Sequence, residues 1–119
     1  MPHITVDYSE SLSDAFDRRG FALELHPLTA EVIKDTVDNC KTRFRRVEET
    51  FVADGAPEHA VIHVEFVILQ GRTETVKAEL SHAVLELIRK HVASTPGVMV
   101  HTSVDVSELG KAYRKHVMV

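Results

Sequence analysis

Apolar and polar residues alternate strictly over "HITVDY" at positions 3–8, with Ile4, Val6 and Tyr8 on one side and His3, Thr5 and Asp7 on the other. A period of two, with β-branched residues well represented, predicts a strand of about six residues with one face buried. The next stretch, "SESLSDAFDRRG", is dense in capping and turn residues. Phe21, Leu25, Leu28, Val32 and Ile33 then recur at helical spacing, which predicts a helix over 21–37, disturbed near Pro27.

From "CKTRFRRVEETFV" (40–52) to "AVIHVEFVIL" (60–69) the period returns to two. The polar link between them holds Asp54-Gly55, and two β-rich runs around such a turn predict a β-hairpin. A second helix is expected after Thr73, a natural N-cap, on a stripe of Val76, Leu80, Ala83, Val84, Leu87, Ile88 and Val92 that stops before Pro96-Gly97. A last strand follows in "VMVHTSVDV" (98–106). The tail "SELGKAYRKHVMV" is too short and mixed to assign, and its Tyr113 and Arg114 are candidates for packing on a neighbouring chain.

The order β-α-β-β-α-β reads as two β-α-β units in tandem, an α/β chain of the α+β two-layer sandwich kind, with residues 1–119 as a single domain. Two helices cover one face of a four-stranded sheet. Yet Val61, Val67 and Leu69 oppose Ile62, Val64, Phe66 and Ile68, so apolar residues lie on both sides. Other copies of the chain, closing into a ring, are the simplest cover for the second face.

Composition narrows the partners. A chain of 119 residues that is 44% hydrophobic can bury a core without staples. The formal charge of −4 repels phosphate backbones, so nucleic acid is not an expected partner. One cysteine, Cys40, excludes an internal disulfide and suits a reducing compartment. No apolar run is long enough for a membrane span and no signal-like segment opens the chain, so the cytoplasm is the expected location.

Candidate chemistry begins at Pro2. If Met1 is removed, Pro2 becomes a secondary amine, and α-amino groups titrate near 8, closer to neutrality than lysines do. Cationic neighbours and partial burial lower such an amine toward the value a general base needs. The plain alternative is a proline that merely begins an edge strand. While Met1 is retained, the Pro2 nitrogen is an amide and cannot act as a base.

In "CKTRFRR", alternation puts Lys41, Arg43 and Arg45 on one face of an otherwise acidic chain. They form either a carboxylate-binding wall or a solvated face balanced by Glu48 and Glu49, and spacing does not choose between Lys41 and Arg43. Arg72 precedes the Thr73 cap, where a guanidinium and a helix N-terminus can act on one anion, unless it is an ordinary turn arginine. Eight histidines raise the question of metal, and His59 and His63 share a strand face. No HExxH motif or Cys/His cluster accompanies them, and His26, His82 and His91 read as helix-surface residues, so no metal is expected. There is no phosphate-cradling glycine loop, G-x-S-x-G elbow or paired-carboxylate motif, and no cofactor is expected.

Pro2, the tandem β-α-β pattern and the arginines together resemble the 5-carboxymethyl-2-hydroxymuconate isomerases of the tautomerase superfamily. The resemblance lies in "MPHITVDYS", "KTRFRRVEETFVADG", "GRTETVKAEL", "LELIRKHVAS" and "SVDVSEL", collinear from Met1 to about Leu109. It implies a tautomerase-like fold in a homotrimer, a site near a subunit interface, and the processed proline, here Pro2, as base. It also implies Arg72 as a ligand of a substrate carboxylate. Lys41 stands where the family usually has a second arginine, while Arg43 matches another arginine of the pattern. The lysine keeps the charge and loses the two-pronged fork.

The reaction so implied is a cofactor-free allylic proton shift that turns a 2-hydroxydienoate polycarboxylate into its 2-oxo isomer, a step in the breakdown of homoprotocatechuate and related aromatic acids. A tautomerase of another small enol acid, such as a phenylpyruvate-like one, needs fewer cations. A catalytically silent trimer that holds an anionic metabolite needs no base at all.

Overall fold

The computed structural model describes residues 1–119 and contains four strands and two long helices. β1 (His3–Ser9), α1 (Arg18–Ile33) and β2 (Lys41–Val47) form the first β-α-β unit. β3 (His59–Ile68), α2 (Glu74–His91) and β4 (Met99–Glu108) form the second. Short 3-10 turns at Glu10–Leu12 and Val37–Asn39 flank the first unit's helix.

The sheet order is β2-β1-β3-β4. β1 runs parallel to β2, β3 runs parallel to β4, and the two units meet along the antiparallel β1–β3 pair. The expected hairpin is therefore corrected. A tight turn does exist at 52–55, where Gly55 adopts φ 87° and its N–H donates to the carbonyl of Val52 at 2.9 Å, but β2 and β3 do not pair. Burial explains the choice. β1 and β3 present fully buried residues, Ile4 and Val6 on one and Ala60, Ile62, Val64, Phe66 and Ile68 on the other, and belong at the centre. β2 offers only half-buried Thr42, Phe44 and Val47, so it serves as an edge.

Both helices lie on one face and close the core with Phe21, Leu25 and Ile33 from α1 and Leu80, Val84 and Ile88 from α2. α1 starts earlier and ends earlier than its apolar period suggested. Asp17 caps it by accepting from the Gly20 N–H at 3.0 Å, and Lys34 ends it in the left-handed conformation at φ 57°. Pro27 sits exposed inside the helix, on the side where the backbone facing water tolerates a missing N–H. α2 is capped by the Thr73 hydroxyl, which accepts from the Val76 N–H at 3.2 Å, and Arg89, Lys90 and His91 in its last turn complement the helix dipole. No helix is long and apolar enough to cross a membrane.

The other sheet face carries His3, Thr5, Asp7, Lys41, Arg43 and Arg45 on its β1–β2 half, with half-buried Val61 and Val67 on β3. It has no covering layer within the chain.

Candidate active site

The site grows from the end of the sheet where β1 begins. Pro2 has no N–H for a ladder, but its carbonyl accepts from the Lys41 N–H at 3.2 Å, so it opens the β1–β2 pairing from its other side. Met1 and Pro2 are both buried. The Met1 ammonium donates to Asp35 Oδ2 at 3.0 Å. With Met1 in place the Pro2 nitrogen is a tertiary amide, and the amine at this point of the fold belongs to Met1.

Asp35 is the anchor of the cluster, and it lies in the stretch that the sequence assigned to the helix. The early end of α1 at Ile33 frees it to turn inward. Burial alone raises the Asp35 pKa, but the Asn39 amide at 2.6 Å, the Thr36 N–H at 2.7 Å and the Met1 ammonium more than reverse that, holding it at about 2. Cys40 is buried beside it, and burial, then the Asp35 charge, push its thiol upward.

Arg72 reaches the same carboxylate, with Nη2 4.0 Å from Asp35 Oδ2. Its strongest bonds go elsewhere: Nε and Nη2 both donate to the Ile33 carbonyl, at 3.1 and 2.9 Å, and Nη1 to the Leu69 carbonyl at 3.4 Å. The expected partnership with the α2 N-terminus is thus replaced by one with the C-terminal end of α1, whose negative pole suits a cation. Three of the five guanidinium N–H groups are engaged, which leaves two for a ligand.

Lys41, Arg43 and Arg45 do share one strand face, and the structure sorts them. Arg45 grips Asp7 through two bonds, at 2.6 and 2.9 Å, so its balancing anion is Asp7 rather than Glu48 or Glu49. Lys41 donates to the Asn39 carbonyl at 3.1 Å and Arg43 has no ion-pair partner; both are exposed. The parallel register places Lys41 beside His3 and Arg43 beside Thr5. His3 is held below its ordinary pKa by burial first, then by Arg43, Lys41 and the N-terminal ammonium, so its ring is neutral at pH 7. Its Nε2 lies 3.0 Å from the Tyr113 hydroxyl.

Tyr113 packs on His3 of its own chain, and Arg114 donates to the carbonyls of Lys111 and Tyr113. Asp35, Asn39, His3, Tyr113 and Lys115 had no motif to announce them.

Most histidines outside this end have local partners, and His82 stands exposed on α2. His59 and His101 lie 3.0 Å apart and His63 meets Ser103 at 2.6 Å. His26 and His91 are not simple surface residues. His26 Nε2 lies 2.8 Å from the Thr42 hydroxyl, and His91, mostly enclosed, contacts Glu24 at 3.0 Å and Asp17 at 3.7 Å.

A mixed sheet of two β-α-β units under two helices, with Pro2 just ahead of its central strand β1, defines a small two-layer α+β protein. Residues 2–116 match the family model described as 5-carboxymethyl-2-hydroxymuconate isomerase, and the chain belongs to that isomerase family of the tautomerase superfamily. A relative from Escherichia coli, 5-carboxymethyl-2-hydroxymuconate Delta-isomerase, is 26% identical over 94 residues, covering 79% of this chain and 75% of the relative. The crystal structure of a 5-carboxymethyl-2-hydroxymuconate isomerase from Deinococcus radiodurans R1 superposes with a TM-score of 0.79 at 22% identity, covering 98% of this chain and 90% of that one. A fused 4-OT wild-type symmetric trimer superposes with a TM-score of 0.68 at 13% identity, covering 94% and 91%. These structural likenesses establish the fold.

Proposed function

We propose that the chain, freed of Met1 and assembled as a homotrimer, isomerises 5-carboxymethyl-2-hydroxymuconate or a close polycarboxylate, with Pro2 as general base. The observation that carries this reading is the convergence of the chain's amine with Arg72, Lys41 and Arg43 at one end of the sheet. In the reaction the neutral prolyl nitrogen takes the proton of the 2-hydroxyl. The oxygen–hydrogen bond breaks, the C2 carbonyl forms, and the double bonds shift along the chain. The prolyl-ammonium then gives a proton to the terminal carbon of the former diene, where the new carbon–hydrogen bond forms. Substrate and product are isomers, so no redox partner or cofactor enters.

The cations serve twice. They hold carboxylates and stabilise the oxyanion that develops as the hydroxyl proton leaves. They also disfavour protonated Pro2, while Asp35 favours it. The trimer is supported by likeness to the 4-OT trimer and by the shape of the single chain, in which no concavity is lined by Pro2, Lys41 or Arg72. A pocket at this end needs walls from another copy.

The test couples intact-mass spectrometry of untagged protein to an ultraviolet assay of dienol decay on the same sample. Loss of the Met1 mass together with decay that Pro2→Ala abolishes supports the isomerase. Loss of Met1 with an untouched hydroxymuconate and turnover of phenylenolpyruvate moves the substrate to a simpler enol acid. Binding of the polycarboxylate with no turnover of either substrate makes the protein a silent anion-binding trimer.

A further inference from the structure

β4 ends at Glu108, and the tail beyond it turns back across the start of β1. The Leu109 N–H donates to the Ile68 carbonyl at 2.7 Å, and the Tyr113 N–H to the Gly110 carbonyl at 3.0 Å, which reverses the chain. Tyr113 then meets His3 edge to face, with ring centroids 5.7 Å apart and planes at 76°. Two residues later Lys115 Nζ lies 3.2 Å from Met1 Sδ and 3.5 Å from Asn39 Oδ1. Asn39 in turn donates to Asp35, and Asp35 accepts from Met1, so the tail closes a ring of contacts around the N-terminus.

A thioether is a weak acceptor for an ammonium. Lys115 therefore spends little of its donor capacity in this arrangement, although Met1 beneath it is only 7% exposed. Removal of Met1 takes the sulfur away and leaves the ammonium beside Asn39, at the edge of the space that Met1 fills. The charges at this end of the sheet are then Arg72, Lys41, Arg43 and Lys115 against Asp35, with His3 neutral. Arg72 gives three of its five donors to Ile33 and Leu69, which leaves two for one substrate carboxylate, and Lys115 brings to this end a cation whose donors are almost unspent.

We propose that Lys115 is a substrate-anchoring residue that binds one carboxylate of a polycarboxylate substrate, and that Tyr113, latched to His3, is the positioning residue that keeps it there. This rests on the Pro2 isomerase reading and deepens it: the C-terminal tail sets the preference for a polycarboxylate over a monocarboxylate.

The experiment uses full-length protein shown by mass to lack Met1. It measures kcat and KM for 5-carboxymethyl-2-hydroxymuconate and for phenylenolpyruvate, with a thermal melt of each variant. Lys115→Ala is expected to raise KM for the tricarboxylate about tenfold and for the monocarboxylate under about twofold, a difference of roughly 1.4 kcal/mol on one substrate. Lys115→Arg restores most of the loss, and Tyr113→Phe gives a smaller rise confined to the same substrate. The proposal is overturned if Lys115→Ala changes neither KM, or both equally, while Pro2→Ala still abolishes turnover; the isomerase reading then stands without it. If the unsubstituted, Met1-free chain turns over neither compound, the isomerase reading fails, and this proposal with it.

Discussion

Arg72 donates from both Nε and Nη2 to the carbonyl of Ile33, the last residue of α1, across 39 positions of sequence. The residue proposed to meet a substrate carboxylate thus also fastens the end of one helix to the turn before the other. Arg72→Ala should do two separable things. Losing the donors strands a buried carbonyl, which costs about 1–3 kcal/mol of stability in denaturant titrations. Losing the charge raises KM for the polycarboxylate. Unchanged stability would mean that the Ile33 contact is replaced by water at no cost.

Lys41 offers a gain-of-function test. A lysine presents a point charge, whereas arginine grips a carboxylate with two parallel bonds. Lys41→Arg places there the residue that the family resemblance implies and should lower KM for the hydroxymuconate by about threefold to tenfold. Steady-state kinetics decide it, and a rise in KM would mark Lys41 as adapted to a different carboxylate spacing.

Asp35 predicts a pH response in the protein that retains Met1. Its folded pKa of about 2 lies below its ordinary 3.8, so its stabilisation is fully present above pH 4 and is lost as pH falls toward 2. The shift corresponds to about 2 kcal/mol. Urea unfolding at pH 6 and pH 3 should show about half of that difference, about 1 kcal/mol, in the parent and a flatter profile in Asp35→Asn. Equal slopes in both would place the acid sensitivity in other carboxylates.

These contacts show what the sequence could and could not announce. The element order was legible because each element carries its own period, and the Thr73 cap lies three residues from the N–H it accepts from. Strand partnership was not. Asp54-Gly55 does make a turn, but whether β2 pairs with β3 depends on which strands can be buried, a property of the whole sheet. The end of α1 was missed because Lys34 takes the left-handed conformation with no glycine to mark it. Pro2, Lys41, Arg43 and Arg72 stood out by type and by resemblance. Asp35 and Lys115 did not, since their partners lie 34 and 114 positions away at Met1.

The uncovered sheet face carries the last prediction. Val61 sits half-buried on that face in β3, its N–H held by the Ser9 hydroxyl at 2.8 Å and its register neighbour in β4 being His101. An acid placed there in an isolated chain meets water and changes stability by about 0.5 kcal/mol or less. The same acid in a ring of three copies is buried without a partner, which is far more costly. Val61→Asp should therefore shift the mass seen in light scattering from three 13.3 kDa chains toward one, while circular dichroism keeps the α+β signature. A trimer that persists would place the contact between copies along the strand edges, β2 and β4, and leave the central face wet.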